Sequence, residues 1–366
     1  MNPKKIVYLI GAGATQAEAD FRGGKKINLL MKKTKSHGDG ISNRILKRAS
    51  TKRMLGIKLD EEDEIDIEKL ISLLAASGIE KYRQQAEELR KIYFEEILDS
   101  LVRAEILDEP TLAMGLLTMH RNQKLKRVEI LTGIISLNHD NLFQIASSKI
   151  FKDKINLGFK YKSEIFKDGQ GKTPPIIMLY GSFNWKCGLP IEVVNLEPDM
   201  DYSGDILWIP PSILKEAKDY PYNKLLGIAY ELLSNKCDIL RIIGCSLSQN
   251  DWNILALLFN AQYNQHMYKG ECFKIELIMA EDYGEKIKKD CPYLHNLIPI
   301  GYLSDGDFSI YKEFVYRKDK GPVSAAGSEL DNPFKYWLCE KIKCHRGRRE
   351  FDINKGSGII KVIMRG

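Results

Sequence analysis

One short segment near the start of the chain limits the possible folds more than any other. Ile6 to Ile10 form an unbroken apolar run, and the sequence Gly11-Ala12-Gly13-Ala14-Thr15 follows directly. A strand that is apolar along its whole length is typical of a parallel sheet covered on both faces. Glycines after such a strand allow a tight turn, and the helix that follows presents free amide groups and a positive dipole to a phosphate. The segment therefore predicts the first strand–helix unit of an α/β domain with a nucleotide-phosphate site.

Strand-like and helix-like segments alternate through most of the remaining chain. Further strand-like runs occur at 128–137, 155–159, 176–179, 239–243, 273–279 and 297–300. Such alternation requires crossover connections, which place helices on both faces of a parallel sheet. We therefore predict an α/β fold with a doubly wound, mostly parallel, Rossmann-like sheet. The stretch 186–206 is rich in Pro, Gly, Asp and Asn and is predicted to be a long loop.

Two regions interrupt or extend this alternation. Residues 64–122 carry apolar side chains at helical spacing, which predicts a helical insertion at about 60–125 packed on the sheet. The Rossmann-like domain is expected to cover residues 1–310. Residues 311–366 are predicted to form a C-terminal extension for oligomer or partner contact, with an added helix after Pro333.

Composition restricts the class of protein. The seven cysteines are odd in number and include no C-x-x-C pair, which favours a reducing cytoplasm over a disulfide framework or a zinc ribbon. Cys339, Cys344 and His345 offer only three potential ligands, so no metal site is predicted. No stretch of eighteen apolar residues occurs, so no segment is expected to span a membrane. A cytoplasmic protein is the expectation.

Charge is unevenly distributed along the chain. The net charge is +6, and residues 25–58 hold eleven Lys or Arg and one acidic residue, Asp39. Residues 60–68, which follow, are strongly acidic. The two segments either neutralise each other on a solvated surface or offer a nucleic-acid or partner surface. The sequence leaves both interpretations open, although the shortage of aromatic residues weakens the nucleic-acid one.

Three later strand ends carry polar residues that are candidates for a binding site. They are Ser136-Leu137-Asn138-His139-Asp140-Asn141-Leu142, then Tyr180-Gly181-Ser182, then Gly244-Cys245-Ser246 with Asp251 shortly after. In doubly wound sheets, ligands bind at the carboxyl ends of the strands, so these segments are expected to meet around one ligand. Helix capping is the alternative role for Asp140 or Asn141, and it is the expected role of Asp251.

Together with Asp20-Phe21-Arg22, these segments resemble the sirtuins and the sirtuin-like NAD-hydrolase domains of bacterial antiphage defence systems, of the sirtuin–HerA or Thoeris type. The family's Gly-Ala-Gly turn, Asn-x-Asp, Gly-Ser and Gly-x-Ser motifs occur in the same order. The segment Pro210 to Lys215 also resembles a family loop. The resemblance spans about residues 6–259, apart from the helical insertion.

The resemblance implies an NAD site with defined roles. The first turn would bind the pyrophosphate, and the Gly-x-Ser turn would line the adenosine ribose and phosphate. Asn138 would hold the nicotinamide ribose and the attacking water, and Asp140 would support its loop. Phe21 would cover the nicotinamide end, and Arg22 would touch a phosphate. The other cofactor-binding residues implied are Gly11, Ala12, Gly13, Thr15, Gly181, Ser182, Gly244 and Ser246.

The main departure from the family is at Tyr180. The family has a histidine there that acts as general base, and a tyrosine, with an ordinary pKa of about 10, is a poor base. Either the site is weakened or inactive, or His139 has exchanged places with Tyr180 around one pocket. Neighbouring residues on a strand point to opposite faces, which counts against the exchange. Asn138, Tyr180 and His139 are the candidate catalytic residues.

The activity implied by the resemblance is hydrolysis of NAD+ to ADP-ribose and nicotinamide without a metal, in antiviral defence by NAD depletion. A non-catalytic NAD- or ADP-ribose-binding subunit, regulatory or scaffolding, is the alternative. A homo-oligomer and a HerA-type ATPase partner are also implied by the family. A protein deacylase is disfavoured because the chain lacks zinc-ribbon cysteines and the family's histidine.

Overall fold

The computed structural model describes most of residues 2–298. Within that range the description omits residues 23–26, 35–36, 57–64, 122–124, 170, 198–199, 201, 203–204, 213–214, 216–217 and 280. Beyond residue 298 it covers four short segments, 314–317, 321–324, 342–345 and 348–351. The predicted extension 311–366 therefore lies mostly outside the described residues.

Helices and strands alternate along the chain as expected for an α/β protein. The helices are α1 (Ala12–Arg22), α2 (Ile41–Lys47), α3 (Ala49–Leu55), α4 (Ile67–Ala76), α5 (Glu80–Arg103), α6 (Thr111–Met119), α7 (Leu142–Phe151), α8 (Tyr222–Asn235), α9 (Trp252–Lys269) and α10 (Glu281–Asp290). The strands are β1 (Lys4–Ile10), β2 (Glu129–Ser136), β3 (Lys154–Ile155), β4 (Tyr161–Lys162), β5 (Lys167–Asp168), β6 (Ile176–Met178), β7 (Gly181–Lys186), β8 (Ile191–Val193), β9 (Ile206–Trp208), β10 (Ile239–Ile243), β11 (Lys274–Ile278), β12 (Leu297–Ile298), β13 (Phe314–Arg317), β14 (Gly321–Ser324), β15 (Ile342–His345) and β16 (Arg348–Phe351).

The main sheet has the strand order β12-β11-β10-β1-β2-β6, and its described strand pairs are all parallel. If these six strands are numbered by their order along the chain, the sheet read from its β6 edge has the order 3-2-1-4-5-6. This is the strand order of the doubly wound dinucleotide-binding fold. Helices α1, α6 and α7 pack together, and α8 packs on α9. The predicted doubly wound, parallel α/β sheet is therefore confirmed. The order reverses between β1 and β10, so the ligand crevice of such a sheet is expected at the carboxyl ends of these two strands.

The interior of the sheet contains charges as well as apolar side chains. Arg241 in β10 makes two hydrogen bonds of 2.9 Å to Glu129 and one of 2.8 Å to Glu276, and all three residues are buried. Tyr8 in β1 bonds to the ring of His120 nearby. Burial lowers the pKa of His120 to about 4, so this ring is neutral at pH 7. Because Arg241 pairs with both carboxylates, none of these three buried side chains carries an unpaired charge.

The helical insertion begins at Ile41, well before the predicted boundary at about residue 60. A second hydrophobic core joins α2, α4 and α5 to a small sheet of order β4-β8-β7-β9. Phe94 of α5 meets Phe183 edge to face, with ring centroids 4.6 Å apart, and Trp208 contacts both rings. The predicted loop at 186–206 is irregular over most of its described residues, but it contains the short strand β8, which was not predicted. A strand of three residues is too short to show an alternating pattern in the sequence.

Part of the basic segment 25–58 is neutralised within the fold. Arg44 and Arg48 both bind the carboxylate of Glu96 in α5, the former at 2.6 Å, and Lys47 pairs with Asp39. These cations therefore find their partners in α5 and in the segment itself. The pairing lowers the positive charge that this surface presents to a nucleic acid.

Two features complete the fold. The prediction of a helix after Pro333 is wrong for the described residues of that segment, because β15 and β16 pair there as antiparallel strands. Within the described residues, no helix combines the length and the apolar character needed to cross a bilayer.

Candidate nucleotide site

The turns after β1 and β10 pack backbone against backbone at the switch point. The amide of Gly13 donates to the carbonyl oxygen of Gly244 (2.8 Å), and that of Gly11 donates to Ile243 (3.0 Å). Gly244 has a φ of +60°, and a Cβ there would lie 2.2 Å from the amide nitrogen of Ala14. Side chains at these positions would force the turns apart. The glycines therefore set the close approach of the two strand ends, and Gly13 uses its amide within the protein rather than on a phosphate.

The amino end of α1 is the accessible part of this arrangement. Ala12 is exposed, Gly13 is partly exposed, and Ser246 on the neighbouring turn is exposed. The first amide groups of a helix lack intrahelical acceptors and lie at the positive end of its dipole, which favours an anion. The predicted residues of the turn after β1 and of the Gly-x-Ser turn after β10 thus meet at one accessible helix end.

Asn138 connects the end of β2 to the turn after β1. Its side-chain amide donates to the carbonyl oxygen of Gly11 (3.1 Å) and to the hydroxyl of Thr15 (2.9 Å). Thr15 in turn donates to a carboxylate oxygen of Asp140 (2.7 Å). Thr15 is buried, whereas Asn138 is partly exposed. Three predicted site residues from two strand ends therefore form one hydrogen-bonded network, and Asn138 is its solvent-facing member.

The carboxylate of Asp140 is buried and supports this network from below. It accepts a hydrogen bond from the amide of Leu142, the first residue of α7 (3.2 Å), whereas the side chain of Asn141 makes no cap bond. Burial raises the pKa of Asp140 above the ordinary aspartate value, and the hydrogen bonds from Thr15 and Leu142 oppose that shift. Asp140 thus holds the helix end and also fixes the position of Thr15.

Tyr180, just after β6, is buried beside a lysine. The ammonium group of Lys215 lies 4.5 Å from the centre of the Tyr180 ring. The Tyr180 hydroxyl has no hydrogen-bond partner among the described residues. Burial, followed by the negative charge of Asp251, raises the pKa of Tyr180 well above its ordinary value. The phenol is therefore neutral at physiological pH and is not a general base.

His139 lies among aromatic rings close to the same lysine. It stacks on Phe183 with ring centroids 5.2 Å apart and meets Trp208 edge to face at 5.1 Å. Burial, with the positive charge of Lys215 as the next cause, lowers the pKa of His139 to about 3. The charge of Lys215 therefore acts on His139, and its ammonium group lies over the ring of Tyr180. Neither has the pKa of a general base near neutral pH.

Gly181 and Ser182 have structural contacts in this structure. Gly181 has a φ of +73°, and a Cβ there would lie 2.2 Å from the carbonyl oxygen of Leu207 in β9. The Ser182 hydroxyl is fully buried and bonds to the Asn184 amide oxygen (2.7 Å) and the His139 carbonyl oxygen (3.1 Å). Both residues therefore fasten β7 to its neighbours.

The second half of α1 carries the other residues implied by the resemblance. Phe21 is buried in the main hydrophobic core. Arg22 ends α1, and its side chain lies outside the described part of the structure. Asp20 bonds to the Gln16 amide (3.0 Å) and to His37 Nε2 (2.7 Å). The helix end is thus held to the loop that follows it.

An ion cluster around the buried Lys215 was not predicted. Its ammonium group lies 3.1 Å from Asp251 and 3.7 Å from Glu68 at the start of α4. Asn250 donates to both Glu68 (2.8 Å) and Asp66 (3.2 Å). Asp251 occupies the N-cap position of α9, as expected, but its side chain makes no cap hydrogen bond. The sequence signal was the segment ending at Lys215, but its partners lie far away along the chain.

Comparisons with known proteins do not identify a family. No protein-family model matches the chain. Over 221 residues it is 25% identical to the disease resistance protein RPP13 of Arabidopsis thaliana, covering 59% of this chain and 24% of that protein. The chain thus spans about a quarter of that relative's length. A solved structure described as "Structural Basis for the Mechanism and Regulation of Sir2 Enzymes" matches 75% of this chain and 80% of its own, with 13% identity and a TM-score of 0.33. The fold assignment rests on the strand order rather than on this similarity.

Proposed function

We propose that the chain binds NAD+ at the switch point and hydrolyses the bond between nicotinamide and ribose, giving ADP-ribose and nicotinamide. The observation that carries the proposal is the position of Asn138, which is anchored to the turn after β1 beside the accessible amino end of α1. An anionic pyrophosphate suits that helix end, and a polar amide suits a ribose hydroxyl. The order of motifs along the sequence supports NAD+ over other nucleotides.

In this proposal the protein positions the reactants and stabilises charge. The C1′–N bond breaks and its electron pair goes to the nicotinamide ring nitrogen, which cancels the positive charge of the ring. Water then forms the C1′–O bond and loses a proton to solvent. The Asn138 amide nitrogen is engaged with Gly11 and Thr15, so its carbonyl oxygen is the group offered to the ribose and to the attacking water. Such positioning alone lowers barriers substantially.

The reaction does not depend on a strong base. Nicotinamide leaves as a neutral molecule, and water that attacks an oxocarbenium-like carbon becomes acidic as the bond forms. Neutral Tyr180 and neutral His139 would then border the nicotinamide end of the pocket. General acid–base catalysis typically contributes about 10²–10⁴ in rate, so we expect turnover well below that of an enzyme with a histidine base.

A non-catalytic NAD- or ADP-ribose-binding subunit is the second candidate. The observation that favours it is that neither Tyr180 nor His139 has a pKa near neutrality. In that case the ligand would stabilise the protein or regulate a partner. Both candidates require binding, and only the first requires nicotinamide release.

The deciding experiment measures two quantities on the purified full chain. Calorimetric titration with NAD+ and with ADP-ribose measures binding, and chromatography measures nicotinamide released over time. Binding with release supports the hydrolase, and binding without release in every condition supports the subunit. The absence of both contradicts an NAD site. Tyr180→His tests the base: release that increases at least about tenfold indicates that only the base was missing.

Antiviral defence by NAD depletion is the biological role proposed for the hydrolase, from the sequence resemblance. Homo-oligomers and a HerA-type ATPase partner belong to the same proposal. Expression of the chain and of Asn138→Ala in phage-challenged bacteria tests it. NAD+ loss and phage protection that both disappear with Asn138→Ala support the role. Protection that persists without NAD+ loss contradicts it.

A further inference from the structure

Helix α9 presents large apolar side chains to solvent along one side. Trp252, Phe259, Tyr263 and Met267 are 67%, 44%, 60% and 62% exposed. At about 100° per residue, they fall within an arc of roughly 80° of the helix surface. We name these four residues the α9 stripe. Four large apolar side chains exposed in one line differ from the singly scattered apolar residues normal on a protein surface.

The opposite side of α9 is also apolar and is buried. Ile254, Leu258 and Ala261 belong to the main hydrophobic core, and the Gln265 side chain is bonded to the carbonyl oxygens of Leu233 (2.9 Å) and Cys237 (2.7 Å). The helix is therefore fixed in place and cannot rotate its stripe inward. Asn253, Asn260 and Asn264 form a polar flank between the two apolar sides, and an exposed apolar surface of this kind is typical of an interaction site. Something outside the described fold is thus expected to cover the α9 stripe.

Charge identifies the kind of partner. From Trp252 to Tyr268 the sequence contains no Asp, Glu, Lys or Arg, although the chain as a whole carries +6. A symmetric pair brings the same patch of each copy together, and like charges within that patch would repel. An uncharged stripe is therefore suited to meet itself, and a strongly acidic or basic partner would find no counter-charge on it.

The exposed area is large enough for a small interface. Phe259 contacts Tyr293, which is also exposed, with ring centroids 6.4 Å apart. With about 200 Å² for each large side chain, the exposed fractions of the four stripe residues and Tyr293 correspond to about 540 Å² per copy. Two copies together would bury about 1,100 Å², just above the roughly 1,000 Å² that a specific interface needs. We propose that the α9 stripe is the interface of a two-fold homodimer of this chain.

The test is the mass of the full chain in solution, measured by sedimentation velocity over a hundredfold range of concentration. We expect a dimer of the wild-type chain. Tyr263→Glu is expected to raise the dimer dissociation constant at least about 100-fold, because dimerisation would bury a carboxylate without a partner. Tyr82→Glu is the matched control, since Tyr82 is exposed on α5 away from the stripe, and it should leave the dimer unchanged.

Three outcomes would overturn the proposal. The first is a wild-type chain that stays monomeric over the whole range. The second is a dimer that tolerates Tyr263→Glu. The third is a monomer in which α9 amides are protected from hydrogen exchange more strongly than in Tyr263→Glu, which would assign the stripe to the chain beyond residue 298. Matching far-ultraviolet circular dichroism spectra of the two Glu variants confirm that both are folded, because each replaces an exposed side chain.

Discussion

The two ends of the candidate site differ in charge and in access. At the α1 end, Ala12 and Ser246 are exposed and the groups on offer are neutral hydrogen-bonding groups. At the other end, Tyr180 is buried against Lys215, whose charge is already matched by Asp251 and Glu68. The difference is that the first end leaves hydrogen-bonding groups accessible, whereas at the second end the protein's own carboxylates match the charge of Lys215. A ligand that extends from one end to the other must fit against Lys215 or displace it.

Removing Lys215 should give the largest effect. Lys215→Met leaves the partly buried carboxylates of Asp251 and Glu68 without a cation, so we expect the free energy of unfolding to fall by about 2 kcal/mol. It should also raise the pKa of His139, since Lys215 is one cause of its low value. Denaturant titration measures the first effect, and NMR titration of the ring protons measures the second.

Lys162→Met is the matched control for this change. Lys162 pairs with Glu192 at 3.4 Å on the surface, and such pairs contribute less than about 1 kcal/mol. Equal losses in the two variants would mean that the closed end is no more dependent on its ions than the surface is. An unchanged pKa of His139 in Lys215→Met would show that Lys215 does not influence this ring.

Asn138→Ala tests the open end. If the proposed hydrolysis occurs, kcat/KM should fall about 100-fold, because a group that positions the ribose and water is lost. The midpoint of thermal unfolding should fall by only a few degrees, since one partly exposed side chain is removed. Nicotinamide release and calorimetric binding of NAD+ provide the measurements. Asn223→Ala, exposed on α8, should change neither, and a catalytic loss of equal size there would remove the special role of Asn138.

Two serines that the sequence indicated as candidates, Ser246 and Ser182, allow binding at the open end to be distinguished from a structural role. Ser246→Ala should weaken NAD+ binding about fivefold, as expected for one hydrogen bond of about 1 kcal/mol, with no change in stability. Ser182→Ala should do the reverse, because its hydroxyl serves Asn184 and His139 inside the protein, and it should cost about 1–2 kcal/mol of stability. If Ser182→Ala abolished NAD+ binding and Ser246→Ala left it unchanged, the assignment of the open end would be reversed.

The smallest expected change is that of kcat/KM with pH, which should be nearly flat between pH 6 and pH 8. His139 has a pKa of about 3 and the pKa of Tyr180 is well above its ordinary value, so neither titrates between pH 6 and 8. We expect kcat/KM to vary less than about threefold over that range. A limb near pH 6.5 that disappears in His139→Gln would show that His139 acts as a base in the complex.

The same low pKa affects stability with a defined sign. His139 is harder to protonate in the folded state than in the unfolded state, so its neutral form contributes to stability above the unfolded pKa of about 6.5. This contribution to stability is lost as the pH falls toward the folded pKa of about 3. The thermal midpoint should therefore fall between pH 7 and pH 5, and less so in His139→Gln. His120 acts in the same direction, so part of the fall should remain in that variant.

Local patterns in the sequence were enough to predict the fold class and to name the candidate binding residues. A continuous apolar strand, the glycines after it and the alternation of segments are local patterns, and the backbone converts them directly into strands, turns and helices. These patterns predicted β1, the turn at Gly11 and the polar strand ends at Asn138 and Ser246. They missed three-residue strands such as β8, which are too short for any periodicity to appear.

The contacts that the candidate residues make depend on elements that are distant in the sequence. Gly13 bonds to Gly244, and Ser182 faces inward, because packing brings together turns that are distant in sequence. The cluster of Glu68, Lys215 and Asp251 exists because the helical insertion lies over the strand ends. Ion pairing and burial depend on which elements meet, and one residue's neighbours along the chain do not contain that information. For this reason the resemblance could name candidate residues, whereas only their packing shows which of them are accessible and which are buried.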